Sequence, residues 1–287
     1  MTSKLQVKTI QAQRVLNPTS IDLGEAVINP YKGCELDCVY CYVKTNRVTA
    51  NHPEPWGSYV DVRINSVEQL EKELKTKKIS TVLLGSTTEL FQPIEKQYHL
   101  TQKILEVLNQ HGIYYVILTR STDVLNALPL LIQGFCKKIY FTVNLFDTQF
   151  KRVLEPKSPD FRARAKAIHT LMDHGITVVT YFCPVLPWIS DLENAFKVFS
   201  EPKWIEFEFL NFTLQHIDEV IQKISIVNPV IGEQYKQMQN DKAFYDKVWQ
   251  EQRKTIETIS ASSGKKFWIF EHQYNGFFEN RYHDVKL

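Results

Sequence analysis

Cys34, Cys38 and Cys41 stand in the run Gly33-Cys34-Glu35-Leu36-Asp37-Cys38-Val39-Tyr40-Cys41-Tyr42, spaced C-x3-C-x2-C. Thiolates on so short a loop can hold three corners of a [4Fe–4S] cube, and electron-carrying cubes normally take four cysteines. A set of only three leaves one iron without a protein ligand, and an open iron can bind a small molecule and act on it. Two other readings start from the same residues. Free cysteines are often small buried apolar side chains, although interleaved charge makes this a poor core pattern. C-x2-C is also a zinc signature. His52 is the candidate fourth ligand there, because Cys136 and Cys183 are isolated and distant.

The chain that must position this loop has 287 residues, 44% hydrophobic and 23% charged. That is ordinary globular composition, at a length that often forms one α/β barrel. There is no apolar run long enough to span a bilayer, and the first residues, Met1 to Lys8, lack the apolar core of a signal peptide. Five cysteines, an odd number, do not read as a disulfide framework. An oxygen-sensitive cluster suits a reducing compartment, so the expected location is the cytoplasm, with no membrane association. A formal net charge of +2 does not by itself imply a nucleic-acid partner. Lys151, Arg152, Lys157, Arg162, Arg164 and Lys166 form a local basic stretch opposed only by Glu155 and Asp160. It reads either as a phosphate-binding patch or as a solvated helix face.

Apolar runs and helical patterns alternate along the chain. Strands are predicted at Gly24–Asn29, Ile79–Leu84, Ile113–Leu118, Lys138–Asn144, Ile176–Phe182 and Trp204–Leu210. Helices are predicted at Ser66–Lys77, with Ser66 as N-cap and Gln69 as its capping-box partner, and at Tyr98–His111, Thr122–Gln133, Asp160–His174 and Asp191–Ser200. Strands separated by helices of this size make βαβ units and a parallel sheet. About six such strands fall short of the eight of a closed barrel, so the expected barrel is open at the side. Functional groups should lie at strand C-terminal ends. From about residue 215 the pattern changes. Glu233–Ile259 reads as one or two helices and Lys266–Phe270 as a short strand, either capping the open end of the barrel or packing as a plain extension.

The cysteine triplet early in an α/β chain resembles the radical S-adenosylmethionine (SAM) superfamily. Asn29-Pro30-Tyr31-Lys32-Gly33-Cys34 and Cys38-Val39-Tyr40-Cys41-Tyr42 resemble its spore photoproduct lyase-like branch. So do Gly85-Ser86-Thr87-Thr88-Glu89, Gln92-Pro93-Ile94-Glu95, Leu118-Thr119-Arg120-Ser121 and Leu154-Glu155-Pro156. The resemblance covers roughly residues 10 to 210. It implies an α/β fold: a partial (β/α)6 TIM-like barrel of the radical SAM type over 1–214, with a mostly helical C-terminal extension over 215–287. It also implies a [4Fe–4S] cluster on Cys34, Cys38 and Cys41, with SAM chelating the open iron. Reductive cleavage would then give a 5′-deoxyadenosyl radical that abstracts hydrogen from the substrate. The cofactors do the difficult chemistry while the protein orients them and excludes water.

Site roles follow from the same resemblance. Gly85, Ser86, Thr87 and Glu89 lie where the superfamily contacts the SAM amine. Arg120, where the branch often has Lys, would hold the SAM carboxylate bidentately, with Ser121 adding a hydrogen bond. Thr142 and Asn144 are candidates for the ribose hydroxyls and Tyr42 for adenine. Each has a plainer alternative: a turn at Gly85–Thr88, an Arg120–Asp123 ion pair, a cap at Asn144, a core aromatic at Tyr42. The branch's repair enzymes carry a hydrogen-donating cysteine where this chain has Ser86, whose O–H bond is too strong for that task. Cys183, ending the fifth predicted strand, and Tyr40, beside the third cluster cysteine, are the catalytic candidates. The expected partners are a reductant such as flavodoxin or ferredoxin and, by analogy to the branch, a nucleic-acid substrate. The competing class is a non-catalytic zinc-binding interaction module.

Overall fold

In the computed structural model, which describes residues 5–49, 51–144, 147–199, 204–274, 276 and 278–281, the short apolar runs assemble into two sheets. The strands are β1 (Gln6–Ile10), β2 (Ala26–Ile28), β3 (Tyr31–Lys32), β4 (Tyr59–Arg63), β5 (Thr81–Leu84), β6 (Tyr114–Thr119), β7 (Cys136–Thr142), β8 (Val178–Val185), β9 (Trp204–Phe209), β10 (Lys266–His272) and β11 (Phe278–Arg281). The large sheet runs β11-β10-β9-β8-β7-β6-β5-β2. Its pairs from β2 to β10 are all parallel, and only β11 is antiparallel. The ends of this order do not meet, so the barrel is partial.

The six predicted strands are β2 and β5 to β9. The C-terminal part then continues the sheet, with β10 pairing to β9 in parallel from Lys266↔Trp204 to Phe270↔Glu208. The same part supplies helices Ile217–Val227, Pro229–Asn240 and Lys242–Ser263. They lie against the barrel through Tyr235, whose hydroxyl donates to the Pro187 carbonyl at 3.2 Å, and Trp249, stacked on Phe209 at 4.1 Å.

Alternation along each strand sorts the core into two faces. Val82, Ile117, Phe141, Phe182, Phe207 and Phe267 point to the helices. Val27, Leu83, Val116, Tyr140 and Val179 fill a smaller inner cluster, with Tyr181 and Trp204 packed against it. By the same period Arg120, Thr142, Asn144, Cys183, Glu208 and His272 follow the inner side toward the strand C-terminal ends. Both faces are buried, as a parallel sheet requires.

Some helix boundaries differ from expectation. Ser66 does not cap its helix, Ser66–Leu74. Asn65 holds the cap position, and the Ser66 hydroxyl donates to the Arg63 carbonyl at 2.7 Å. The single helix predicted over Thr122–Gln133 is a 3-10 turn, Thr122–Ala127, followed by Leu128–Leu131 with proline in its first turn. Pro129 fits there because its nitrogen would have no helical partner. Ser200, the expected end of the helix Leu192–Val198, lies outside the described residues, as do Met1 to Lys4. The small sheet β1-β4-β3 was not foreseen. It delivers the chain from Tyr31–Lys32 directly into the cysteine loop. Gly33 is needed at that exit: its φ is +92°, and a Cβ there would sit 2.5 Å from the Tyr59 carbonyl oxygen.

Candidate functional site

The cysteine loop lies at the mouth formed by the strand C-terminal ends. Cys34 and Cys38 are buried, Cys41 is partly buried, and all five cysteines are free. Burial, reinforced by the charges of Cys38 and Cys41, pushes the Cys34 thiol up. Burial and the Cys38 charge push Cys41 up to about 12. Three sulfurs on one loop that resist ionisation in isolation are suited to a polycationic group that neutralises all of them. Backbone amides already serve them: Leu36 and Glu89 donate to Cys34, and Val43 and Lys44 to Cys41. Such donors tune iron–sulfur centres.

One wall of the mouth is a closed ionic network. Arg120, just after β6, reaches across with a single nitrogen. Its Nη1 donates to Cys38 Sγ at 3.1 Å, to the Tyr40 hydroxyl at 2.8 Å and to Glu155 Oε1 at 3.0 Å. Arg120 Nε and Nη2 have no partner among the described residues. Glu155 also accepts from the Tyr40 hydroxyl and from Arg164 Nη2. Burial alone would raise its carboxyl, but Arg164 and Arg120 hold it down at about 2. Asn144 Nδ2 donates to the Tyr40 hydroxyl at 2.8 Å and to the Cys183 carbonyl at 3.1 Å. Asn144 Oδ1 is buried without a partner among the described residues.

The opposite wall comes from β8, β9 and β10. Cys183 Sγ lies 3.3 Å from Glu208 Oε2, which also accepts from the Tyr181 hydroxyl. His272 Nε2 stands 3.0 Å from Glu208 Oε1. Burial opposes the Glu208 charge, yet these partners keep its carboxyl below the usual range. Burial and the neighbouring Glu208 charge drive the Cys183 thiol well up, so it stays protonated. Tyr42 stands between the walls. Its phenol is pushed up by burial and by the charges of Cys41, Glu208 and Cys183, while its hydroxyl donates to the Ser86 carbonyl at 2.7 Å.

A family model for the Radical SAM superfamily matches residues 28–197. The chain belongs to that superfamily. A radical SAM protein works with SAM and an iron–sulfur cluster, and the buried thiol triplet with its amide donors is the part of this chain that fits the cluster. The chain is 33% identical over 215 residues to the uncharacterized protein MJ0683 of Methanocaldococcus jannaschii, covering 74% of this chain and 80% of that one. It is 26% identical over 184 residues to a Radical SAM Nalpha-GlyT isomerase of Pseudomonas phage M6, covering 61% of this chain and 37% of that one. Apart from the archaeal protein, the chain spans about half or less of the length of the curated relatives it matches. Among solved structures it is similar in fold to spore photoproduct lyase complexed with dinucleoside spore photoproduct. The TM-score is 0.58 at 17% identity, over 76% of this chain and 66% of that one.

The structure brings Cys34, Cys38, Cys41, Tyr40, Tyr42, Arg120, Asn144 and Cys183 to one mouth. Gly85 stands at the β5 exit with φ +85°, where a Cβ would meet the Leu118 carbonyl oxygen at 2.7 Å. Asn29 fixes the next residues, with Oδ1 accepting from the Thr87 amide at 3.1 Å and Nδ2 3.4 Å from Ser86 Oγ. Glu89 is occupied by Thr119 Oγ1 at 2.6 Å and by the amides of Arg120 and Phe91. The Ser121 hydroxyl is likewise committed, donating to the Phe91 carbonyl at 2.7 Å. Thr142 is buried and its carbonyl accepts from Arg164 Nη1 at 3.2 Å. Arg120 does not pair with Asp123, whose partner is Lys96 at 2.8 Å.

His52, the ligand the zinc reading needs, is not turned to the thiols. Its ring stacks on Tyr59 at 3.4 Å and its Nε2 lies 3.5 Å from Asp61 Oδ2. No three His, Cys, Asp or Glu side chains among the described residues group closely enough for a single metal ion. Sulfurs around one tetrahedral zinc sit roughly 3.8 Å apart, whereas the corners of a cube spread their ligands further. The basic stretch from Lys151 to Lys166 is not one face, because Arg164 is buried on Glu155 and Lys157 donates to the Gly57 carbonyl at 2.8 Å. Glu208, Tyr181 and His272 have no role in the sequence reading, which places Arg164 only in the basic stretch and Glu155 only as its counter-charge and in the Leu154-Glu155-Pro156 block. Leu154-Glu155-Pro156 was the one local signal. Nothing in the sequence pairs Glu208 with a histidine 64 positions away.

Proposed function

We propose that the chain is a radical SAM enzyme with a [4Fe–4S] cluster on Cys34, Cys38 and Cys41, acting on a nucleoside-containing substrate. The observation that carries the cofactor part is Arg120, which touches Cys38 with one nitrogen while its Nε and Nη2 have no hydrogen-bond partner among the described residues. When bound, the cluster and SAM supply the chemistry: one electron to the sulfonium, and a 5′-deoxyadenosyl radical that abstracts hydrogen from the substrate. The residues of the chain do the rest. Arg120 Nε and Nη2 receive the SAM carboxylate in bidentate fashion. The Gly85–Thr87 backbone, shaped by Asn29, lines the methionyl end, with Glu89 holding the β6 exit in place from behind. Tyr42 packs on the adenine, and Thr142 lies toward the ribose. Tyr40 and Asn144 position the loop against β8.

Cys183 then faces the substrate. Its thiol gives a hydrogen atom to the substrate radical, breaking S–H and forming C–H. The thiyl left behind regains one electron from a flavodoxin- or ferredoxin-type reductant and one proton by way of the Glu208–His272 pair. No helix among the described residues is long and apolar enough to cross a membrane, and the reading places the enzyme in the cytoplasm, where thiols stay reduced. Nucleic acid as substrate is supported by the ligand named for the structural neighbour, a dinucleoside spore photoproduct. The test is anaerobic incubation with dithionite, SAM and oligonucleotides, read by mass spectrometry for 5′-deoxyadenosine and deuterium transfer. Binding to DNA or RNA should fall steeply with salt. Salt-insensitive or absent binding, with SAM still cleaved, would move the substrate to peptides or small metabolites.

A further inference from the structure

The segment after helix Thr148–Leu154 is stitched to the middle of the cysteine loop. The Val39 amide donates to the Leu154 carbonyl at 2.9 Å, and Ser158 Oγ lies 3.7 Å from Cys38 Sγ. Between them Glu155 places its fully buried carboxylate under Tyr40 and Arg120. Its other oxygen is taken by Arg164, which is itself fixed to the Thr142 carbonyl at 3.2 Å and the Pro159 carbonyl at 2.9 Å. Burying a carboxylate between two guanidiniums is costly unless the geometry is tight, and removing one partner leaves the others uncompensated. Such an arrangement holds its members at fixed positions.

The division of labour on Arg120 gives that rigidity a use. All its side-chain hydrogen bonds within the network pass through Nη1, while the guanidinium carbon lies 5.8 Å from the centroid of the Tyr40 ring. An ammonium has a single nitrogen and could not both be tethered and present a flat fork, whereas a guanidinium can. We propose that Glu155 is the positioning residue of the cofactor site. It clamps Arg120 Nη1 against Cys38 so that the Nε–Nη2 edge is a fixed seat for the SAM carboxylate. This rests on the reading that the loop carries the cluster and binds SAM beside it.

The experiment measures SAM affinity by equilibrium dialysis on anaerobically reconstituted protein, with iron content and the electron paramagnetic resonance spectrum recorded for each sample. Wild type, Glu155→Gln, Arg120→Ala and the double variant form a cycle. Glu155→Gln should retain its iron, bind SAM at least tenfold more weakly, and lose the spectral change that SAM causes in wild type. The double variant should bind no more weakly than Arg120→Ala alone, because Glu155 acts only through Arg120. Wild-type affinity in Glu155→Gln with full iron, or additive losses in the double variant, overturns the proposal. If Glu155→Gln takes up no cluster, Glu155→Asp and Tyr40→Phe in the same cycle decide it: losses that vanish in the Arg120→Ala background support the clamp, and additive or absent losses refute it. Failure of the wild type itself to hold iron or bind SAM would instead sink the underlying reading.

Discussion

The two walls of the mouth are built on opposite principles. On the Arg120 side the Glu155 carboxylate is fully buried and Arg120 is only 16% exposed. Two guanidiniums, one carboxylate, one phenol and one amide lock each other in place. On the β8–β10 side Glu208 is 24% exposed, and it gathers a thiol, a phenol and an imidazole around one carboxylate. The first wall is charge-saturated and suits a cofactor that must always bind the same way. The second holds groups that exchange protons or hydrogen atoms and suits a changing substrate. In the proposed function, rigid positioning and reactive chemistry are thus separated across the opening, with Tyr42 between them.

The comparison can be broken most forcefully at the loop. Cys38→Ala should abolish both iron–sulfur absorbance and SAM cleavage, and retained cleavage would remove the first wall's purpose. Arg120→Ala should keep the iron and weaken SAM binding about 10- to 100-fold, the loss expected for a charged bidentate contact of about 1.5–3 kcal/mol. Unchanged affinity in dialysis would refute that role. Cys183→Ala and Glu208→Gln should leave SAM affinity within about threefold of wild type while changing product distribution or uncoupled 5′-deoxyadenosine formation by mass spectrometry. A loss of SAM affinity equal to that of Arg120→Ala would erase the distinction between the walls.

The smallest effect lies deeper on the inner face. Burial pushes Glu206 up to about 7, with Lys138 and Tyr140 opposing the shift. A folded-state value above the unfolded one means that this carboxyl contributes stability at low pH and loses it as pH rises from about 4.5 through 7. Glu206→Gln should therefore gain melting temperature relative to wild type at pH 8 and little at pH 5. An equal difference at both pH values would contradict the burial argument.

The legible parts of the molecule are those whose information is local. Cys34, Cys38 and Cys41 share one loop, and the β5 and β6 exits carry Gly85 and Arg120 in short recognisable blocks. The six parallel strands announced themselves by apolar runs. Of the Glu208 wall only Cys183 stood out in the sequence; Tyr181, Glu208 and His272 did not, because they join it only when β8, β9 and β10 align, and each looks like an ordinary strand residue alone. Glu89 and Ser121 were legible in position but not in use, since the amides and hydroxyls that occupy them come from the backbone at neighbouring strand ends. His52 stood near the thiols in sequence, but its stack on Tyr59 turns it away. The capping box at Ser66 failed because Asn65 was one residue nearer and bonds back to Ala12, accepting from its amide at 2.7 Å.

The most direct measurement is electron–nuclear double resonance on the reduced, reconstituted protein with SAM labelled by 17O in its carboxylate and 15N in its amino group. An open iron at the three-cysteine loop predicts magnetic coupling of both labels to the cluster in wild type, with the oxygen coupling lost or altered in Arg120→Ala. A fully reduced cluster showing neither coupling, or a reconstituted protein containing zinc and no iron, would contradict the account.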